Sequence, residues 1–125
     1  MMPGLPRAFA LLVCLQLAAC AATPGPLFSW GQYQESLYRR STDPTAEGQQ
    51  AAFLMVERTI REAEARQLRV PPGVYADYGL LLFKQGRVED AAQCFRREAE
   101  TFPESEPLMQ RLLSRIDGGE KGGTP

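Results

Sequence analysis

Apolar residues recur along this chain at helical spacing, and no stretch of strand length alternates apolar with polar. The pattern therefore predicts an all-α fold. In "FSWGQYQESLYRR", Trp30, Tyr33 and Leu37 fall at i, i+3 and i+7, the stripe of a short helix with Trp30 as its first core residue; Gly31 weakens that helix. Asp43 is the expected cap of a second helix, with Pro44 at its first position, where a missing N–H costs nothing. "QQAAFLMVERTIREAEARQL" then places Phe53, Val56, Ile60 and Ala63 on one face. Glu57 with Arg61, and Glu62 with Arg66, stand at i, i+4 in the favoured order. That charged face is either a solvated helix back or a docking surface.

"VPPG" is expected to end the second helix, because two prolines cannot continue the hydrogen-bond ladder. A third helix runs from Val74 to Gln85 and stops at Gly86, which suits a left-handed cap. A fourth, Val88 to Thr101, carries Ala91, Ala92, Phe95, Ala99 and Phe102 on one side and stops at Pro103. Ser105 is the expected cap of a fifth, bearing Leu108, Met109, Leu112, Leu113 and Ile116, with Glu104 and Glu106 as favourable charges at its positive end. Residues 118–125, polar and glycine-rich, read as a disordered tail after a domain of residues 28–117.

The first nineteen residues follow another logic. Arg7 precedes a mostly apolar run from Ala8 to Leu17, and small residues follow, which is the layout of a secretory signal peptide. The run is shorter than the ~20 apolar residues a membrane-spanning helix needs. The order Leu17, Ala18, Ala19, Cys20 resembles the lipobox of bacterial lipoproteins. That resemblance implies a diacylglyceryl thioether on the Cys20 sulfur, cleavage just before it, and acylation of the new amino terminus. At about 0.8 kcal/mol per buried CH₂, several such chains anchor a protein far more firmly than one. An ordinary signal peptide of the Ala-x-Ala kind is the alternative. Residue 21 is Ala, where Asp would direct retention in the inner membrane, so the resemblance implies the outer membrane, facing the periplasm. Residues 20–27, with Pro24, Gly25 and Pro26, form the expected lipidated start and a tether of at most roughly 20 Å at ~3 Å per residue.

Charge and cysteine content narrow the function classes. Loss of Arg7 with the signal turns 14 basic against 15 acidic residues into 13 against 15, a net charge of −2, and no basic patch for nucleic acid is indicated. Of three cysteines, Cys14 leaves with the signal and Cys20 is occupied by lipid, so Cys94 has no partner in the chain and a disulfide framework is excluded. Cys94 precedes core residue Phe95 and reads as a half-buried small side chain, the alternative being a reactive thiol. The sequence holds no histidine, which removes the commonest general base and the commonest metal ligand and rules out Ser/His/Asp and Cys/His arrangements. No catalytic residue, cofactor, metal or small-molecule substrate is expected.

With Pro103 at position thirty-two of a thirty-four-residue period, Pro72 becomes position one, Tyr75 four, Gly79 eight, Gly86 fifteen, Ala91 twenty and Phe95 twenty-four. This resembles a tetratricopeptide repeat. Gly79 and Ala91 are small where two antiparallel helices cross, and Tyr75 and Phe95 fill the space beside the crossing. Leu82 replaces the usual Tyr, and Glu98 replaces a usual small Ala. A lone repeat cannot bury its face, so the helix before it and the helix after it are expected to stack on either side; no earlier full repeat is recognised. The resemblance implies that Gly73, Ala76, Leu80, Phe83 and Lys84 face a groove, with Leu80 and Phe83 as an apolar anchor and Lys84 at its rim. The helix containing Trp30 covering that groove as ordinary core is the competing reading.

As a whole, "PLFSWGQYQESLYR", "PPGVYADYGLLLFKQG", "AAQCFRREAETFPES" and "LMQRLL" resemble an uncharacterised family of small Gram-negative lipoproteins, over nearly all of residues 20–116. Asp77 stands where that family's pattern has His after "PPG-x-x-Ala". Members are typically encoded beside a lipoprotein similar to the curli secretion channel and another small lipoprotein, which implies a shared envelope complex. The expected function is an outer-membrane-anchored, non-catalytic adaptor or assembly factor whose partners are the membrane, through acyl chains on Cys20, and other envelope lipoproteins. The alternative is a lipid-anchored regulator that brings an envelope protease or cell-wall enzyme to its substrate.

Overall fold

The computed structural model describes residues 25–122, and side chains up to residue 118. The expected signal peptide, Cys20, the expected tether as far as Pro24 and residues 123–125 lie outside the described residues. Five α-helices make up the fold: α1 Tyr33–Thr42, α2 Ala46–Ala65, α3 Val74–Lys84, α4 Val88–Thr101 and α5 Glu106–Gly122, the last entered through a 3₁₀ turn at Pro103–Ser105. The described residues form no strand, only an isolated bridge between Phe28 and Arg69, and the class is all-α. No helix of the described residues is long and apolar enough to cross a membrane.

α1 and α2 pair as one hairpin. At its open end the backbone N–H of Gln32 donates to Thr59 Oγ1 (3.1 Å), and near its turn Gln49 Nε2 donates to the carbonyls of Arg40 (3.2 Å) and Asp43 (2.7 Å). The Trp30–Tyr33–Leu37 stripe is not the buried face of α1. Trp30 is 46% and Leu37 44% exposed, whereas Ser36 is fully buried and its Oγ donates to the Tyr33 carbonyl at 2.6 Å. The cause lies just before the helix: Gly31 turns at φ +42 against Thr59, where the Gln32 N–H is fastened, so Trp30 precedes α1 and points away from α2. The α2 cap also differs from expectation. Thr45, not Asp43, is the N-cap, its Oγ1 accepting from Gly48 N at 3.0 Å; Asp43 instead accepts from the N–H and hydroxyl of Thr45 (3.1 and 2.6 Å) and steadies the cap from outside.

α2 buries the expected Phe53, Val56, Ile60 and Ala63. Glu57 and Arg61 pair at 3.2 Å, but Glu62 and Arg66 do not, because Arg66 is already the C-cap and leaves helical geometry. Five residues separate the end of the helix at Ala65 from Pro71, so the prolines are not its terminator. Gln67 adopts φ +54; its N–H donates to the Glu64 carbonyl (3.1 Å) and the Leu68 N–H to that of Ala63 (2.9 Å). This is the paired hydrogen bonding of a Schellman cap, formed without the usual glycine. α3 closes with the same pattern at Gly86, as its sequence indicates.

α3 and α4 form the second hairpin. Gly73 N donates to Glu98 Oε1 at one end, and Gly79 lies against Ala91 and Phe95 further along, a pairing order that makes the helices antiparallel. A β-carbon on Gly79 would lie 2.6 Å from Phe95 Cε1 and 3.2 Å from the Ala91 carbonyl, so the close crossing depends on that glycine. Two apolar clusters flank it. Val56, Ile60, Ala63, Val70, Val74 and Tyr75 join α2 to α3. Leu82, Ala91, Ala92, Phe95, Met109 and Ile116, with Phe53, join the second hairpin to α5. Ser105 does not cap α5; its Oγ donates to the Phe102 carbonyl (2.7 Å) and holds the 3₁₀ turn that leads into the helix. α5 continues to Gly122, past the point where the composition suggested a tail, with Asp117 and Gly118 exposed.

Two stability measurements check these packing and capping arguments. Gly79→Val should lower stability by about 1–3 kcal/mol through overpacking, seen as a lower urea midpoint; an unchanged midpoint would contradict the close crossing. Gln67→Gly should raise stability by roughly 0.5–1 kcal/mol, because glycine meets no steric penalty at positive φ. A fall in thermal midpoint for that variant would show that the Gln67 side chain contributes more than its backbone conformation costs.

Candidate functional site

Of the five residues expected to face a groove, Gly73 is tied to Glu98, and the structure brings two, Leu80 and Phe83, together at the surface. Leu80 and Phe83, on the same side of α3, are 40% and 45% exposed. They form one wall of a shallow groove of about 100 Å³ whose other wall is Leu112, Arg115 and Ile116 of α5, with Phe95 between. The groove is apolar except for Arg115. It exists because α5 packs on α4, burying Met109 and Ile116 there and leaving the outer side of α3 uncovered. Neither Trp30 nor any α1 residue lines it. Ala76 is half-buried and packs into the core beneath α3. Lys84 is exposed but rims a different cleft, of about 460 Å³, with Arg40, Gln49, Gln50 and Gln85 over a floor of Phe53 and Leu81.

A third depression, of about 370 Å³, lies between α2, α3 and α4 and contains Cys94, Tyr75, Tyr78, Glu64, Arg87 and Arg97. Its charges are mutually occupied. Arg97 Nη1 donates to Glu64 Oε1 (2.5 Å), which also accepts from the Tyr75 hydroxyl (2.9 Å), and Arg97 stacks over the Tyr75 ring at 5.5 Å. Arg87 pairs with Asp90 at 2.7 Å. Burial pushes the Cys94 thiol up from 9.0 to about 11, against the opposing pull of Arg97, so it stands as a neutral thiol near neutral pH. Among the described residues there is no cluster of three or more Cys, Asp or Glu that could hold a metal ion.

Two polar ties between helices escaped the sequence reading. Arg40 of α1 donates both terminal nitrogens to Asp77 of α3, at 3.0 and 2.6 Å, with each side chain mostly buried. Burial first, and Asp77 second, push the neighbouring Tyr33 hydroxyl up to about 12. Glu98 is almost completely buried; one carboxylate oxygen accepts the Gly73 N–H at 2.7 Å, and the other has no partner among the described residues. The available signal was Glu98 itself, a charged residue on the apolar side of α4 where the repeat pattern has alanine.

A family model described as Domain of unknown function (DUF4810) matches residues 27–112 of the chain. No curated protein matches it, and no solved structure does.

The thiol and phenol shifts predict the alkaline limb of stability. Cys94, Tyr33 and Tyr75 are all raised, to about 11, about 12 and about 12, so between their unfolded and folded pKa values the native state holds more protons than the unfolded one. Their contribution is full below pH 9 and is lost as pH rises toward 12. Urea midpoints should be flat from pH 7 to 9 and then fall. Cys94→Ala should remove the part of the slope between pH 9 and 11; an unaltered slope would contradict the burial assigned to the thiol.

Proposed function

The chain belongs to the family described as Domain of unknown function (DUF4810), and from that premise we propose that it is a lipid-anchored, non-catalytic adaptor of the Gram-negative cell envelope. Cys20 carries the acyl chains, the tether keeps the domain near the outer membrane on its periplasmic side, and the tetratricopeptide-like helical array holds a partner lipoprotein similar to the curli secretion channel. The observation that carries this reading is the exposed pair Leu80 and Phe83 beside Leu112. A domain this small has little apolar surface to spare, and adjacent large apolar side chains left in solvent at a groove are the usual anchor of a protein contact. The neutral state of Cys94 favours recognition over thiol chemistry.

Leu80→Asp and Phe83→Asp place charge in the groove; because each side chain is about half buried and an acid is unfavourable near the end of α3, each should lower stability by about 1–2 kcal/mol and leave the fold intact. At native expression, in-cell crosslinking followed by purification should recover a partner lipoprotein with the wild-type chain and little or none with either variant. Recovery of monomer alone from the wild type would overturn the adaptor reading. Cys20→Ser should abolish fatty-acid labelling and leave uncleaved precursor; normal cleavage in that variant would overturn the anchor.

A further inference from the structure

We propose that the segment leading into α1, with Leu27 and Trp30 at its surface and Arg69 beside it, is a lipid-contact face that seats the domain on the bilayer in a fixed orientation. The proposal rests on the acylation of Cys20 proposed above and adds to it a direct contact between the folded domain and the membrane.

Three observations converge on this face. From Cys20 through Gln34 the chain carries no charged side chain; the first is Glu35. Within that run Leu27 is 63% and Trp30 46% exposed, with Gly25 and Pro26 exposed beside them. A lipid interface accepts such a surface, and tryptophan is enriched there because its ring is apolar and its N–H is not. Second, Leu27 lies seven residues beyond Cys20, so at ~3 Å per residue it stays within about 20 Å of the acylated sulfur even when the tether is taut. No other exposed apolar residue of the described chain lies so close in sequence to the proposed anchor.

Third, the segment is fastened so that these side chains face outward. Phe28 packs against Phe102 with ring centroids 6.2 Å apart, the Arg69 guanidinium lies over both rings at 5.7 and 5.2 Å, and Ser29 N donates to the Arg69 carbonyl at 3.1 Å. Gln32 N is held by Thr59. Phe28 and Ser29 are thus turned inward, and their neighbours Leu27 and Trp30 outward. Arg69 remains exposed at the edge of the patch; its Nη2 donates to the Thr101 carbonyl at 3.1 Å, and its remaining N–H groups suit a lipid phosphate. Nearness to the acyl chains, an uncharged surface and an adjacent arginine together fit a phospholipid surface better than a second protein.

The seat also orients the groove. Phe28, Arg69 and Phe102 lie at the end of the second hairpin where Gly73 meets Glu98. Phe83 lies ten residues further along the axis of α3, about 15 Å away at 1.5 Å per residue. A domain resting on Leu27 and Trp30 therefore keeps Phe83 at the far end of α3 from the seat.

Trp30 is the chain's single tryptophan and reports on the contact directly. The acylated full-length mature protein, its lipid modification verified by mass spectrometry, is reconstituted into vesicles of phosphatidylethanolamine and phosphatidylglycerol with or without a nitroxide on the acyl chain near the headgroup. Trp30 emission should be strongly quenched by the nitroxide lipid. Leu27→Asp should remove most of that quenching while the protein still floats with the vesicles. Wild-type protein that floats with Trp30 unquenched, or Leu27→Asp quenched as strongly as wild type, would overturn the seat while leaving the anchor intact. A mature protein without acyl chains would instead overturn the anchor and the seat with it.

Discussion

At the crossing of α3 and α4 the Phe95 ring occupies the space that a β-carbon on Gly79 would need. That approach brings Phe95 into contact with everything that matters on the downstream side: it packs with Leu82, Ala92, Met109 and Ile116, and its edge forms the base of the groove between Leu80, Phe83 and α5. A larger residue at position 79 would push the ring outward. The place of α5 and the shape of the groove would then change together, so the core and the proposed recognition surface are one packing problem. Exposed Leu80 and Phe83 cost little in this arrangement, because the apolar area that stabilises the hairpin lies on the opposite side of α3, under Tyr75 and Leu82.

Polar ties fix how the remaining pieces sit around that crossing. Arg40 and Asp77 join the first hairpin to the second with a bidentate, mostly buried pair, the geometry in which guanidinium and carboxylate bind best. A neutral histidine at position 77 could accept only one hydrogen bond, whereas the Asp77 carboxylate takes both terminal nitrogens of Arg40. Glu98 does comparable work at the other end of α3. Its carboxylate meets the N–H of Gly73, the N-cap residue, at the positive end of the helix. The second oxygen, partnerless among the described residues, is a buried acceptor whose desolvation costs about 1–3 kcal/mol, which the cap and the helix field offset.

The helices were legible in the sequence wherever an apolar face and a breaker agreed. α4 has the predicted bounds, and the core residues of α2 and the Gly86 cap of α3 are as read. Reading failed where a contact distant in sequence decided the outcome. Thr59, nearly thirty residues away, holds the N–H of Gln32 and so turns Trp30 out of the core. Hydroxyl chemistry at Thr45 overrode the cap assigned to Asp43, and Gln67 took a conformation usually left to glycine. Of the groove, Leu80 and Phe83 on α3 are residues the sequence singles out. The wall on α5 was not legible, because nothing in the spacing of Leu112 and Ile116 specifies which side of α4 that helix will take. Lys84 stands four residues after Leu80 and shares its side of α3, but the first hairpin comes up beside it, so it rims the cleft with Arg40 and Gln49 instead, which spacing on α3 alone does not reveal.

Trp30 and Phe28 show how one short segment serves two surfaces. The bridge between Phe28 and Arg69 and the bond from Ser29 N to the Arg69 carbonyl fix which side chains of the segment turn inward. Phe28 goes inward to Phe102 and Arg69, at the junction of the α2–α3 loop and the end of α4, while Leu27 and Trp30 go outward. Gly31, turning against Thr59, and the bond from Gln32 to Thr59 hold the far end of the segment, so that Trp30 stays outside the core. The same fastening that denies Trp30 a place in the core therefore gives the domain a rigid apolar edge near the point where the chain approaches Cys20. On the proposed anchoring, that rigidity converts a tether which restricts only distance into a contact that restricts orientation. A groove at the other end of α3 needs that second restriction to meet a partner fixed in the same membrane, since two anchored proteins approach each other in a plane and only faces turned to a common height can touch.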